Sequence, residues 1–123
     1  LAAHRAAVLD TGARAILHSH PKFTVTLSLL CEKPDCPERG SCHVACKERP
    51  LVCGVPVVPG ETGNGPNGLC RTVPPALAAN GRAAIVRGHG IFALGGEDFR
   101  QPLQEMLAVE HAAREEYARL VGV

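Results

Sequence analysis

Tryptophan is absent from the 123-residue sequence, tyrosine and methionine occur once each, and aromatic residues make up only 3% of it. A core cannot therefore be built around large rings. With 46% apolar residues it has to come from Ala, Val, Leu and Ile, a composition suited to close packing of helices on a sheet. An excess of one charge is also missing. Thirteen basic and twelve acidic residues leave a net charge of +1 without a block of either sign, so no footprint for nucleic acid or an anionic membrane surface is present. No apolar run approaches the roughly 20 residues that span a bilayer, and the first residues carry His4 and Arg5 instead of a signal-peptide core. The reading is a soluble, cytoplasmic protein with neither nucleic acid nor membrane as partner, long enough for one compact domain, residues 1–123, and too short for two. Because the chain opens on Leu1 and its single methionine is Met106, further sequence upstream of Leu1 is expected.

Local pattern predicts alternating helices and strands. Leu1 to Leu9 is free of breakers and is stopped by Asp10-Thr11-Gly12, which reads as a short helix closed by a glycine. Ala15 to His20 reads as a strand. Lys22 to Leu30 is apolar enough for either helix or strand, and Pro21, suited to a first helical turn, favours helix. Val55 to Val58 reads as a strand, followed by a turn-rich stretch with Gly60, Gly63, Asn64, Gly65, Asn67 and Gly68. A helix is expected from Thr72 to Ala79, with Pro74 and Pro75 in its first turn and Asn80-Gly81 as its cap. Ala83 to Arg87 and Ile91 to Leu94 read as strands around a Gly88-His89-Gly90 turn. The last segment, Asp98 to Val121, is one long helix, with Leu103, Met106, Leu107 and Tyr117 expected in the core.

Side chains alternate along a strand, so His18 and His20 share a face and Ser19 takes the other. Two imidazoles on one face can share a metal, although an H-x-H taken alone is a short and unspecific pattern. His89, framed by Gly88 and Gly90, can supply a third ligand, which leaves a tetrahedral zinc with an open position. The glycines suit a chain that must turn sharply or be approached closely. Glu61, among glycines, reads as a solvated turn residue and not as a base or ligand.

Cys31, Cys36, Cys42 and Cys46 crowd into one polar, aperiodic segment that forms a Cys-rich insertion at 31–53, with spacings C-x4-C-x5-C-x3-C. Such crowding fits a second metal better than a disulfide framework, since the rest of the chain can supply an ordinary core. Structural zinc, an iron–sulfur cluster, disulfides and plain reduced thiols all remain open.

The series A-R-A-I-L-H-S-H-P at Ala13–Pro21, V-P-V-V-P in mid-chain and A-A-I-V-R-G-H-G-I-F-A at Ala83–Ala93, followed by a long helix, resembles the class II aldolase/adducin family. The resemblance covers nearly the whole chain apart from the cysteine segment. It implies a three-layer α/β/α domain around a central, mainly antiparallel or mixed sheet, and a homotetramer with active sites near subunit interfaces. It also implies zinc, or another divalent metal, on His18, His20 and His89. The activity implied is aldol cleavage of a small carbonyl or sugar-phosphate substrate through a metal-stabilised enediolate. Epimerisation, dehydration, or a non-catalytic adducin-like interaction module are the other roles known in the family. Its proton-shuttling glutamate and its phosphate-binding segment would both precede Leu1, the glutamate about one helix turn before His4. Its tyrosine proton donor has no counterpart, because the chain has no tyrosine before Tyr117.

Overall fold

The uninterrupted apolar runs Ala83-Ala84-Ile85-Val86 and Ile91-Phe92-Ala93-Leu94 fix the architecture, because each of these strands is buried on both sides. Ala83, Ile85, Ile91 and Ala93 join one apolar cluster, while Ala84, Val86, Phe92 and Leu94 join another on the opposite face. Helices cover both. The computed structural model describes residues 2–31, 33, 35–61 and 65–122. In chain order its elements are α1 (Ala2–Thr11), β1 (Ala15–Ser19), α2 (Lys22–Leu29), α3 (Cys42–Ala45), β2 (Leu51–Val52), β3 (Val55–Val58), α4 (Leu69–Asn80), β4 (Ala83–Val86), β5 (Gly90–Gly95) and α5 (Arg100–Val121).

The five strands lie in the order β1-β5-β4-β3-β2. Three neighbouring pairs are antiparallel, and β3 and β4, joined by the crossover helix α4, run parallel, so the sheet is mixed. Helices α1 and α4 pack together on the Phe92 face, and α2 and α5 on the Ile85 face. This is the expected three-layer α/β/α arrangement.

Several local expectations need correction. Leu1, Gly63 and Asn64 lie outside the described residues. Pro21 is the residue before α2 and not part of its first turn; it is extended (φ −69°, ψ 130°) and its carbonyl accepts the Val25 N–H at 3.0 Å. Helix α4 begins at Leu69, three residues earlier than expected, so Pro74 and Pro75 fall inside it, where they remove two backbone donors. Its end is as expected: Gly81 takes a left-handed φ of 69° and returns its N–H to Leu77 O. The segment 31–53 is also less irregular than its composition suggests. Cys42 to Ala45 forms a single helical turn, and Leu51-Val52 pairs with β3 across a Cys53-Gly54 turn with φ of 50° and 80°.

The phase of α5 is the largest correction. Its buried stripe is Pro102, Met106, Val109 and Ala113, with Tyr117 packed partly against the same cluster, whereas Leu103 and Leu107 are 47% and 61% exposed. Positions 102, 106, 109 and 113 follow helical spacing, and the two leucines sit one residue, about 100° of turn, away from it. This is the face that packs on the sheet; choosing the phase by leucine content misplaces it.

One side chain on α5 ties the layers together. Glu110 accepts the backbone N–H of Phe23 at 3.0 Å, the N–H of Thr24 at 2.8 Å and the Thr24 hydroxyl at 2.9 Å. These are orphan donors in the first turn of α2, which has no side-chain cap of its own. A carboxylate there also complements the helix dipole. Since α2 starts just after His20, the contact fixes the chain where it leaves β1.

Candidate metal centre

β1 ends in Leu17-His18-Ser19 and pairs with β5 in a register that sets His18 opposite Phe92 and Ser19 opposite Ile91. Alternation then sends the two side chains to opposite layers. His18 stacks on Phe92 with ring centroids 4.1 Å apart, while the Ser19 hydroxyl reaches Met106 Sδ at 2.6 Å on the α5 side. His20, one residue past β1, returns to the His18 side. His89 enters from the turn between β4 and β5, and its ring lies 5.3 Å from His18 and 5.1 Å from His20, centroid to centroid.

One potential ligand nitrogen from each of the three rings lies within 4.8 Å of the others. Among the described residues, this is the one group of His, Cys, Asp or Glu side chains that gathers in this way. The nearest approach is between the Nε2 atoms of His18 and His20, at 3.2 Å. On the far side of its ring, Nδ1 of His18 is 3.0 Å from the carbonyl oxygen of Ile91. A carbonyl only accepts, so Nδ1 carries the proton and Nε2 presents its lone pair to the other two rings. A ligating histidine oriented from behind by a backbone carbonyl has this same arrangement.

Burial pushes the pKa of His18 below the ordinary histidine value; the Ile91 hydrogen bond opposes this, and His20, His89 and His4 add to the lowering. His89 is lowered by burial and then by His20. Both are thus held neutral near pH 7, the form in which imidazole binds metal.

The glycine frame has a steric reason. A Cβ on Gly90 would lie 2.3 Å from the Ser19 carbonyl oxygen, 2.7 Å from His20 Cδ2 and 3.2 Å from His18 Cε1. Only hydrogen fits where β5 passes beneath the two histidines. Gly88 takes a φ of 70°, which turns the chain so that His89 points inward, and its N–H is received by the Ser28 hydroxyl at 2.8 Å. His4 of α1 completes the surround, with its ring 5.3 Å from Phe92 and 6.2 Å from His18.

A sequence model of the class II aldolase and adducin N-terminal domain matches residues 1–117. The chain belongs to the class II aldolase and adducin family. Among solved structures, L-fuculose-1-phosphate aldolase from Thermus thermophilus is similar, with a TM-score of 0.64 and 28% sequence identity over 97% of this chain and 60% of that one. This family member therefore spans about 60% of the length of that aldolase. No curated protein matches it.

The other residues singled out from sequence lie apart from the histidines. Glu61 is exposed, with its backbone bridged to Gly68. The four cysteines of the insertion line one small cavity as free thiols, without any three of them converging as the histidines do. Sequence reasoning missed Glu110, whose partners on α2 are more than 80 positions away, and used His4 only as a family landmark. No described helix is long and apolar enough to cross a membrane.

Proposed function

We propose that this chain is the metal-binding part of a zinc-dependent class II aldolase-type lyase acting on a small carbonyl compound, such as a sugar phosphate. The observation that carries the proposal is the convergence of His18, His20 and His89 on one point, with His18 oriented by Ile91. The donor set fits the metal: three imidazoles, at least two held neutral, leave one position of a tetrahedral zinc open. Bound there, a divalent ion supplies Lewis acidity that stabilises negative charge developing on a substrate carbonyl oxygen.

The chain's own residues then have distinct tasks. Ile91 O and the Phe92 ring hold the His18 imidazole in one tautomer and one orientation. His20, exposed, marks the side from which a substrate reaches the site, while His4 and Phe92 close the inner side. Glu110 anchors the chain just beyond His20. The name of the Thermus relative, an aldolase for L-fuculose 1-phosphate, supports a phosphorylated sugar as the substrate class. The gathered imidazoles favour chemistry over an adducin-like interaction module. A homo-oligomer, tetrameric as the family resemblance implies, would give the exposed Leu103 and Leu107 on α5 an apolar partner.

The test is aldol cleavage by the natural full-length protein, loaded with zinc and offered L-fuculose 1-phosphate and other ketose 1-phosphates, with triose phosphate release followed by a coupled dehydrogenase. Release abolished by chelation and by His89→Ala is expected. Metal-loaded, folded protein that releases no triose phosphate from any of them overturns the lyase reading.

A further inference from the structure

Outside the histidine group, four cysteines surround one cavity at the insertion, although no three of their sulfurs meet as the histidine nitrogens do. Cys31, Cys36, Cys42 and Cys46 all line one cavity of about 80 Å³, beside the C-terminal end of α2 and the Arg87 side chain. All four are free thiols. They fall into two pairs, Cys31-x4-Cys36 and Cys42-x3-Cys46, both within the two to four intervening residues usual for a structural zinc pair. The second pair brackets the single turn α3: Cys42 opens it and Cys46 follows it in extended conformation, with the Cys46 N–H bonded to Cys42 O at 3.3 Å. The Glu48 N–H donates to Cys46 Sγ at 3.5 Å.

Charge around the cavity points the same way. Its wall holds Lys33, Arg39 and Arg87 against the single carboxylate of Glu48. Lys33 pairs with Glu48. Arg87, itself buried, donates to the carbonyls of Ser28 at 2.7 Å and Arg49 at 3.1 Å, so its charge is fixed at the edge of the insertion.

The segment also needs a cross-link. Among the described residues from 31 to 51 none is buried, so no apolar core offsets the entropy of ordering some twenty positions. We propose that Cys31, Cys36, Cys42 and Cys46 form a second, structural zinc site that orders the segment between α2 and β2. The site shares Arg87 and Ser28 with the turn that presents His89, so the metal also braces that turn.

The experiment uses natural full-length protein purified under reducing, anaerobic conditions and read in three ways. Zinc content should be two per chain, falling to one in Cys36→Ser/Cys42→Ser and to one in His18→Ala/His89→Ala. Cobalt-exchanged protein should show a thiolate-to-cobalt charge-transfer band that survives the histidine changes and disappears with the cysteine changes. Of the six thiols, only Cys53 and Cys70 should react with a chromogenic disulfide before chelation, and the other four afterwards. The last two readings on wild-type protein need no variant to fold. Six thiols reactive without chelator, two disulfides found by mass spectrometry, or iron with inorganic sulfide in place of zinc each overturn the proposal. A single zinc unaffected by the cysteine changes also overturns it while leaving the histidine site standing. A single zinc lost only with the cysteines supports it and removes the histidine reading.

Discussion

Gly90→Ala is the substitution on which the geometry of the site makes its sharpest claim. The added methyl would sit 2.3 Å from the carbonyl oxygen of Ser19. Carbon and carbonyl oxygen rarely approach closer than about 3.3 Å, so the two must separate by about 1 Å. No rotamer change relieves this, because the obstacle is backbone and β1 is paired to β5 at Ser19 and Ile91. Overpacking of this kind costs about 1–3 kcal/mol. For a domain of this size that lowers the melting temperature by roughly 4–15 °C. The effect on metal should be larger still, because the displaced groups carry His18 and His20 and ligand distances are tolerated only to about 0.2 Å. Zinc affinity should fall by at least the roughly 10–100-fold seen when the groups supporting a ligand are lost. Calorimetric melting and competition with a chromogenic chelator measure the two effects. Gly12→Ala is the control: Gly12, unlike Gly90, has a left-handed φ of 70°, but no atom lies within 4 Å of a Cβ there, so it should lower stability by about 1 kcal/mol and leave zinc affinity unchanged. A Gly90→Ala protein that melts and binds zinc like wild type would refute the reasoning.

The phase of α5 predicts that Met106→Ala costs about 2–5 kcal/mol while Leu107→Ala costs less than about 0.5 kcal/mol, as denaturant titration of the monomeric protein would show. Glu110→Ala should cost about 2–3 kcal/mol by leaving the Phe23 and Thr24 donors without their acceptor, with Glu110→Gln recovering only part; hydrogen exchange at Thr24 that is unchanged in either would count against it. If α5 carries the subunit contact, Leu103→Glu/Leu107→Glu should convert the oligomer to monomer in sedimentation without loss of helicity, and an unaltered sedimentation coefficient places the contact elsewhere.

The sheet, its helices and the three histidines were legible because each rests on short-range pattern. Two-residue alternation aims His18 and His20 together, and glycines on both sides of His89 announce a turn with something close above it. What was not legible depends on distant partners. Glu110 reads as one more acid on a charged helix until α2 lies across it. The seam of α5 is set by the face it turns to the sheet, which carries Pro102, Met106, Val109 and Ala113 and leaves the neighbouring leucines outside. Helix α4 tolerates Pro74 and Pro75 because Val73, Pro74 and Leu77 are buried, and tertiary burial outweighs two missing backbone bonds. β2 was hidden by its position next to the cysteines, where Cys53-Gly54 is an unusual sequence for a hairpin turn.

The central claim is that one divalent ion sits among His18, His20 and His89. Crystals of the zinc-loaded protein, measured on both sides of the zinc absorption edge, test it most directly. The account predicts an anomalous peak about 2.0–2.1 Å from Nε2 of His18 and from one ring nitrogen each of His20 and His89, with Nδ1 of His18 still on Ile91 O. Zinc present in the crystal with no peak among these three rings would contradict it.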